Sequence, residues 1–280
     1  MNQSKNVQDH RNGEKNFFKA YGGNAPENYE KYFVPVMAQP LAKELIEIAS
    51  IRPGERVLDV ACGTGVVARL AADLVGEKGR VAGVDINPGM LAVARSKSTG
   101  KSIEWYEASA ENIPLENESF DVVLCQLGLQ FVQDRFAALR EMWRVLAPEG
   151  RVLLRTAGPT PKLFSIFGDA LARHINPELS AFLQKIFSLY DRNEIEKLLS
   201  ASGFHEISIR SETKTLRLPT PEEFLWQYIH STPLAEPLAA VDDAKRAALQ
   251  EEVVPKWNQF VENGSLIMDV PDVLASARKK

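Results

Sequence analysis

The sequence has few cysteines and no long apolar run, and each of these absences excludes a class of protein. Two cysteines in 280 residues cannot build a disulfide framework or supply all four ligands of a zinc site, so we expect no metal. No window reaches the ~18 uninterrupted apolar residues that a membrane-spanning helix needs, and no apolar stretch of a signal peptide follows Met1. We therefore expect a cytoplasmic protein without a membrane partner.

The chain also has no excess of basic charge. Its 33 basic and 37 acidic side chains give a net charge of −4, whereas binding to a nucleic-acid backbone requires a basic surface. We therefore expect no nucleic-acid partner. Hydrophobic residues make up 45% of the chain, which is enough for a sizeable core. The polar stretch Met1–Glu14 is expected to be a loose arm.

Short apolar runs alternate with helical patterns from about residue 55 to residue 156, which is typical of βαβ units and a parallel sheet. The predicted strands are Arg56–Ala61, Gly79–Asp85, Ile103–Glu107, Phe120–Cys125 and Arg151–Arg155. The predicted helices between them are Val66–Leu74, Gly89–Lys97 and Asp134–Leu146.

Beyond residue 156 this alternation ends. Pro159–Leu189 and Pro221–Asn263 have helical patterns, and Asp191–Glu194 is a capping box that begins another helix. His205–Leu218 alternates as a long strand, and Asp272–Ala277 is predicted to be the last strand.

The first chemical motif is Asp59–Gly65, at the carboxyl end of the first predicted strand. Glycines in such a turn let the backbone approach a ligand closely, beside the positive end of the next helix. Asp85 stands 20 residues after Gly65 (85 − 65 = 20) at the end of the second strand. A carboxylate placed there can accept hydrogen bonds from both hydroxyls of a ribose. The two features together predict an adenosine-type cofactor.

Two cofactor classes share this geometry, and Asp59 discriminates between them. The spacing of Gly63, Gly65 and Ala68 also satisfies the loose dinucleotide fingerprint. A pyrophosphate in this turn would be repelled by the Asp59 carboxylate, whereas the ammonium group of S-adenosylmethionine would be attracted. Asp59 therefore favours S-adenosylmethionine over NAD(P).

Five stretches follow one another in the order found in a known family. They are Val57–Gly65, Val84–Leu91, Ala108–Leu115, Ser119–Val123 and Arg144–Gly150. In these stretches the chain resembles the class I S-adenosylmethionine-dependent methyltransferases, especially the group that includes the quinone-ring C-methyltransferases. Two positions depart from the pattern, since Ala61 stands where many members have glycine and Ser109 where aspartate is usual.

The resemblance implies an α/β fold with a doubly wound, mostly parallel seven-stranded sheet whose last strand is antiparallel. It implies that Asp59 and Gly63 hold the methionine end of the cofactor, Asp85 the ribose, and Ile86 and Ala110 the adenine. The full predicted set of cofactor-binding residues is Asp59, Ala61, Gly63, Gly65, Asp85, Ile86, Met90, Ser109, Ala110, Glu111, Cys125 and Gln126. Both cysteines, Cys62 and Cys125, are then expected near the cofactor as reduced thiols.

The acceptor site is expected to come from segments outside the sheet, because loops and lids at strand ends supply specificity in such folds. We predict an N-terminal arm or lid over residues 1–35, followed by a methyltransferase domain over 36–280 with helical insertions at about 158–190 and 219–265. The candidate acceptor-binding residues are Tyr21, Tyr29, Phe33, Gln130, Trp226 and Tyr228. For each aromatic residue, packing of the insertions onto the sheet is the alternative.

Catalytic candidates are few because the chain has only four histidines. A general base is needed only for a neutral hydroxyl or an acidic carbon. His174 and His230 lie in the insertions, and Gln126 can orient an acceptor through hydrogen bonds. Each histidine has a structural role as its alternative.

These observations predict a methyltransferase, monomeric or homodimeric, that uses S-adenosylmethionine to methylate a small, fairly apolar acceptor at a hydroxyl or an activated ring carbon. The fourth strand ends in Cys125-Gln126-Leu127-Gly128 rather than the Asn/Asp-Pro-Pro-Tyr-like motif of enzymes that methylate base nitrogens. Two alternatives stay open at this point, namely an NAD(P)-dependent oxidoreductase and a cofactor-binding protein without turnover.

Overall fold

The computed structural model describes residues 23–280. Its strands are β1 (Arg56–Val60), β2 (Arg80–Asp85), β3 (Ile103–Glu107), β4 (Phe120–Gln126), β5 (Leu146–Ala157), β6 (His205–Leu218), β7 (Val261–Glu262) and β8 (Ser265–Arg278). Its α-helices are α1 (Ala25–Asn28), α2 (Gln39–Ala49), α3 (Val66–Val75), α4 (Pro88–Lys97), α5 (Arg135–Val145), α6 (Lys162–His174), α7 (Pro177–Ile186), α8 (Arg192–Ala201), α9 (Pro221–His230), α10 (Ala235–Ala239) and α11 (Asp243–Trp257). Tyr29–Ala38 forms a wider π-helix, and Leu129–Phe131 and Asn258–Phe260 form 3₁₀ turns.

The strands form one sheet in the order β3-β2-β1-β4-β5-β8-β6, and the two-residue β7 pairs with β8. Strands β3, β2, β1, β4 and β5 are parallel. The last strand, β8, is antiparallel to both of its long neighbours. The predicted doubly wound sheet with an antiparallel last strand is thus confirmed.

Local sequence signals explain where several helices begin. The side chains of Asn87, Asp134 and Asp191 each accept a hydrogen bond from a backbone N–H in the first turn of α4, α5 and α8, respectively. Such capping satisfies donors that have no partner within the helix. The Asp191 cap confirms the predicted start of the helix.

Two apolar layers cover the faces of the sheet, and a third core lies above its carboxyl edge. Helices α2 and α3 pack on one face, and α5 and α8 pack on the other. The third core joins α6, α7, α9 and α11 to the extended ends of β6 and β8. We call this third core the lid. It places apolar side chains directly opposite the strand ends.

The prediction was wrong where the second insertion meets the last strand. The segment Pro221–Asn263 is not helical throughout, because α11 ends at Trp257 and a hairpin follows. The missed signal is Asn263-Gly264, where both residues have positive φ, of 50° and 77°. Asn-Gly favours a two-residue hairpin turn of this kind. The last strand therefore begins at Ser265 rather than Asp272.

Two other boundaries bear on the predicted organisation. Strand β5 begins at Leu146 rather than Arg151, because the predicted turn pairs with β4 across a register shift. The proposed division between residues 35 and 36 falls inside the helical segment Tyr29–Ala38. The division into an arm and a domain stays a prediction, and Met1–Glu14 lies outside the described residues.

Candidate active site

A cavity of about 260 Å³ lies at the carboxyl ends of the parallel strands. One side is formed by the residues that follow β1, β2, β3 and β4, and the other by the π-helix and the lid. Open α/β sheets bind ligands in this position. The cavity therefore has two halves, which we call the cofactor half and the acceptor half.

The Asp59 carboxylate lies at the end of β1 and is almost completely buried. Its Oδ2 atom accepts a hydrogen bond of 3.0 Å from the backbone N–H of Ala68, in the first turns of α3. Burial raises the pKa of Asp59 to about 8, because removal from water disfavours the charged form. A cationic group in the cavity would offset this cost and favour the ionised carboxylate.

The Asp85 carboxylate at the end of β2 is held by two backbone donors. The N–H of Gly63 donates to Oδ2 at 2.7 Å, and the N–H of Asn87 donates to Oδ1 at 2.9 Å. Burial raises the pKa of this carboxyl above its usual value. Each oxygen keeps a further lone pair, so a fixed carboxylate can also accept bonds from the hydroxyls of a ligand.

Gly63 and Gly65 are both in the turn after β1, but the absence of a side chain matters for a different reason at each. Gly63 has φ of +54°, and a Cβ built there would meet nothing within 4 Å, so the glycine keeps the cavity floor open. At Gly65, with φ of +82°, a Cβ would lie 2.3 Å from the Trp105 ring. Gly65 thus allows close packing and does not itself line the cavity. Ala61 lines the cavity in the same left-handed region, at φ of +56°, which costs an L-residue roughly 1–2 kcal/mol.

The loop after β3 closes one end of the cofactor half. The Ser109 hydroxyl donates to Oε2 of Glu111 at 3.0 Å, and Oε1 of Glu111 accepts a bond from the backbone N–H of Asp134 at 2.6 Å. Ser109, Ala110 and Glu111 line the cavity together with Ile86 and Met90. The structure therefore brings together the residues that the resemblance assigned to adenine.

Two glutamine side chains line the cavity where β4 ends. Nε2 of Gln126 donates to the backbone oxygen of Ala38 at 3.0 Å, which leaves Oε1 without a hydrogen-bond partner among residues 23–280. Gln130 is only 1% exposed, and neither of its amide atoms has a partner within the same range. Buried amides without partners are rare, so both side chains fit a site for a polar ligand group.

The two cysteines are free and buried. Cys62 lines the cavity, whereas Cys125 lies behind its wall. Burial raises the pKa of both thiols, that of Cys125 to about 12, so both are protonated at neutral pH. Buried neutral thiols of this kind are unreactive.

Aromatic side chains form the acceptor half. Tyr29 and Phe33 of the π-helix stack with ring centroids 4.7 Å apart. Tyr228 of α9 lies edge-on to Phe164 of α6 at 5.0 Å, and 6.3 Å from Phe33. All four rings line the cavity. They make its acceptor half a flat-sided apolar pocket.

The structure does not bring every predicted residue to the cavity. His174 is the last residue of α6, with its Nε2 atom 2.6 Å from Oε2 of Glu252, and Nδ1 of His230 hydrogen-bonds the backbone oxygen of Trp226. Trp226 is 48% exposed and stacks on His230. None of these three lines the cavity as described. Tyr21 lies outside the described residues.

Sequence reasoning missed several residues of the acceptor half. Phe182 and Phe187 carry a helical spacing signal that is equally typical of a core. Asp272 has no sequence signal of a functional role, because it is simply the first residue of the predicted last strand. It lies in the cavity wall instead.

The residues present fit S-adenosylmethionine. The buried Asp59 and the partly buried Asp85 could hold a cationic ammonium and a ribose diol, an open glycine floor allows close approach, and Oε1 of Gln126 has no hydrogen-bond partner among residues 23–280. No Lys or Arg is found among the described residues that line the cavity. A pyrophosphate would leave its charge without a partner there. The site thus matches a cofactor without phosphate.

Comparisons with known proteins agree with this geometry. A family model described as a methyltransferase domain matches residues 58–154. The ubiquinone/menaquinone biosynthesis C-methyltransferase of Shewanella frigidimarina is 33% identical in an alignment 187 residues long that covers 61% of this chain and 74% of that protein. The demethylmenaquinone methyltransferase of Staphylococcus epidermidis is 34% identical in an alignment 185 residues long that covers 61% of this chain and 76% of that protein.

Solved structures show the same fold at lower identity. Phosphoethanolamine N-methyltransferase 2 of Haemonchus contortus, in complex with S-adenosyl-L-methionine, superposes with a TM-score of 0.61 and 21% identity over 96% of this chain and 61% of that one. The YcgJ protein of Bacillus subtilis gives 0.57 and 20% over 85% and 97%.

Two features of residues 23–280 bear on the predicted membrane and metal partners. None of the helices described there is long and apolar enough to cross a membrane. Over the same range, no group of three or more His, Cys, Asp or Glu residues is placed to hold a metal ion.

Proposed function

Because the chain belongs to the class I S-adenosylmethionine-dependent methyltransferases, we propose that it methylates a small, largely apolar ring that carries a phenolic hydroxyl. The methyl group goes to that hydroxyl or to the ring carbon that it activates. The observation that carries the proposal is the aromatic lining of the acceptor half, where Tyr29, Phe33, Phe164 and Tyr228 meet. Flat aromatic walls favour a flat ring.

When bound, the cofactor supplies a methyl group on a positively charged sulfur. Asp59 attracts the ammonium at the methionine end, and Asp85 accepts hydrogen bonds from the ribose. Oε1 of Gln126, at the end of β4, is available to a polar group at the boundary between the two halves. These residues fix the position of the methyl group, and positioning supplies much of the catalysis in an in-line displacement.

The lid completes the acceptor half and excludes water from it. Phe164, Phe182 and Phe187 come from the first insertion and Tyr228 from the second. An apolar enclosure raises the reactivity of an oxygen or carbon nucleophile by removing its water shell. The similarity to methyltransferases of ubiquinone and menaquinone biosynthesis supports a ring acceptor of this type.

The experiment measures transfer of the labelled methyl group from S-adenosylmethionine to small single-ring acceptors that differ in their hydroxyl and amino groups. We expect product from methylhydroquinone and para-cresol, and none from para-xylene, which lacks the hydroxyl. Transfer to para-toluidine alone would contradict the proposal, because it would identify an amine methyltransferase.

A matched pair of variants connects this activity to the lid. Tyr228→Ala removes an aromatic wall of the acceptor half, whereas Trp226→Ala removes an exposed ring from the same helix. We expect a rise in KM for para-cresol in the first variant only. Equal KM values in the two variants would show that the aromatic wall does not bind the acceptor.

A further inference from the structure

Asp272 is a buried carboxylate in the acceptor half, distant in the sheet from the two carboxylates of the cofactor half. It lies on β8 opposite Ala157 of β5 and Glu212 of β6. Its side chain is 2% exposed, and it lines the cavity together with Met268 and Val270 of the same strand face. In the sheet, β5 lies between β4 and β8, so these two strands are two inter-strand spacings, or roughly 10 Å, apart. In the cavity, this distance leaves room for one small ring between the end of β4 and Asp272.

The charges around Asp272 explain how the fold tolerates it. Nη1 of Arg155 lies 3.2 Å from Oδ2 of Asp272, and Nη2 of Arg155 donates to Glu44 at 2.6 Å. Glu44 in turn bonds Lys214, which also pairs with Glu212 and thereby with Arg210. Arg155 is thus shared between two carboxylates.

The contact with Arg155 does not satisfy Asp272. Oδ2 of Asp272 has no hydrogen-bond partner among residues 23–280, and neither has Nη1 of Arg155. Burial raises the pKa of Asp272, with a smaller contribution from Glu44 and Glu212, against the opposite effect of Arg155 and Lys214. Oδ2 of Asp272 is thus ion-paired with Arg155 but accepts no hydrogen bond, and a carboxylate oxygen in this state can accept a hydrogen bond or a proton from a ligand.

Asp272 also borders a second concave surface. A second groove, which we call the outer groove, is lined by Tyr190, Arg192, Glu212 and Asp272 and is open to solvent. Asp272 therefore borders both the enclosed cavity and the outer groove. No histidine is found among the described residues that line the cavity, so the sequence-predicted histidine base has no counterpart there.

We propose that Asp272 is the catalytic base of the reaction. This inference rests on the proposed function, in which the acceptor carries a hydroxyl. Oδ2 of Asp272 accepts the hydrogen bond of that hydroxyl and then its proton. The electron pair released on the acceptor forms the new bond to the methyl carbon, from oxygen or from the activated ring carbon. The bond between that carbon and sulfur breaks, and its electrons stay on sulfur.

One proton is released per turnover, and its route is through Asp272. The proton passes from Oδ2 to water in the outer groove, which restores the carboxylate for the next cycle. When the ring carbon is methylated, the ring regains its aromatic character by losing the hydrogen of that carbon and recovering its hydroxyl, so the net release is again one proton.

The test measures binding to protein saturated with S-adenosylhomocysteine, and turnover with the labelled cofactor. The probes are para-cresol, para-toluidine and para-xylene, which share one shape and differ in the hydrogen-bond donor. The variants are Asp272→Asn, which keeps the shape without the charge, and Asp269→Asn as control. Asp269 is an exposed carboxylate on the same strand that accepts a bond from Thr215.

We expect Asp272→Asn to weaken para-cresol binding about tenfold, because a hydrogen bond to a charged acceptor is stronger than one to an amide. Binding of para-xylene and S-adenosylhomocysteine should stay within twofold, as should all binding by Asp269→Asn. Turnover of para-cresol should fall about 100-fold or more, as for loss of a general base. It should fall much less for para-nitrophenol at a pH where that phenol is already ionised.

Other results would overturn the proposal or separate it from the proposed function. Equal losses for para-cresol and para-xylene would show that Asp272 only shapes the cavity. If para-toluidine binds in place of para-cresol and Asp272→Asn weakens it, the hydroxyl acceptor is wrong while the role of Asp272 stands. If no probe binds to the wild-type protein, both proposals fail. Should Asp272→Asn fail to bind S-adenosylhomocysteine, Asp272→Ser provides the test, since it removes the carboxylate and leaves a smaller polar side chain beside Arg155. Full para-cresol turnover in that variant would contradict the assignment.

Discussion

The two halves of the cavity are built in different ways. The cofactor half consists of short turns at strand ends, where carboxylates are held by backbone N–H groups, as Asp85 is by Gly63 and Asn87. The acceptor half consists of aromatic rings from helices far apart in the chain, as in the contact between Phe33 and Tyr228. The first half depends on local backbone geometry and the second on packing.

This difference separates stability from cofactor binding. The lid core is continuous with the acceptor half, so its large side chains support folding as well as the pocket shape. Burial of the Asp59 carboxylate in the cofactor half is costly, and a cationic ligand would offset that cost. We therefore expect lid substitutions to lower stability first, and strand-end substitutions to lower affinity first.

The largest expected effect is that of Phe167→Ala in the lid. Phe167 is fully buried and lies edge-on to Trp257 and Tyr228, with ring centroids 6.0 Å away in both cases. Loss of this ring should lower the free energy of unfolding by about 3–5 kcal/mol, as measured by chemical denaturation. Affinity for S-adenosylhomocysteine should hardly change, because Phe167 does not line the cavity.

The control for Phe167 is Phe136→Ala on α5, where the ring is 44% exposed. Its effect on unfolding should stay within about 0.5 kcal/mol. A large loss of cofactor affinity in Phe167→Ala would contradict the expectation that the lid affects stability and the strand ends affect cofactor binding.

The next largest effect is expected at Asp85. Asp85→Ala removes the acceptor of the Gly63 and Asn87 N–H groups and, in our proposal, the hydrogen bonds to the ribose. Calorimetric titration with S-adenosylhomocysteine should show a loss of about 2–3 kcal/mol, as for hydrogen bonds to a charged group. Asp73→Ala, at an exposed carboxylate on α3 paired with Lys101, should bind like the wild type. Unchanged affinity in Asp85→Ala would mean that the ribose lies elsewhere.

The smallest expected effect, for a change of one pH unit, is the pH dependence of stability that comes from Asp59. Its folded-state pKa of about 8 is above the ordinary value of 3.8, so the folded state binds this proton more tightly than the unfolded state. The stability that this provides to the cofactor-free protein is complete below the ordinary value and is lost as pH rises towards 8. Chemical denaturation at several pH values measures this loss.

Cofactor affinity should change in the opposite direction. The ammonium group favours ionised Asp59, so binding releases a proton and affinity rises with pH below 8, by up to about 1.4 kcal/mol per pH unit. Asp59→Asn should remove this dependence. Titrations from pH 6 to pH 8 that give one affinity for the wild type would contradict the placement of Asp59 beside the ammonium.

Much of the cofactor half was predictable because its signals are local. Asp59, Gly63 and Asp85 lie within 27 residues of one another, and the strand pattern places them at one sheet edge. The loop after β3, with Ser109, Ala110 and Glu111, was predictable for the same reason. The fourth strand end was less predictable, since Cys125 lies behind the wall while Gln126 lies in it. A side chain at a strand end turns one way or the other depending on the backbone after it, here Leu127 at φ of +54°.

The acceptor half was predictable only in part. Tyr29, Phe33 and Tyr228 line the cavity as expected, whereas Trp226 points to solvent two positions before Tyr228. The helical period leaves such choices open when both faces carry apolar residues. The Asn263-Gly264 turn, in contrast, has a local sequence signal. It was missed because the whole segment Pro221–Asn263 was interpreted as helical.

The sequence by itself determined the positions of the parallel strands, the turn chemistry and the cofactor class, because each depends on residues close together in the chain. Only the tertiary structure decided which aromatic rings form the acceptor half, and that Asp272 joins them. Asp272 reaches the cavity because the sheet places its strand, β8, between β5 and β6. Strand pairing across more than 100 residues has no local signal, and it decides which buried charge faces the substrate.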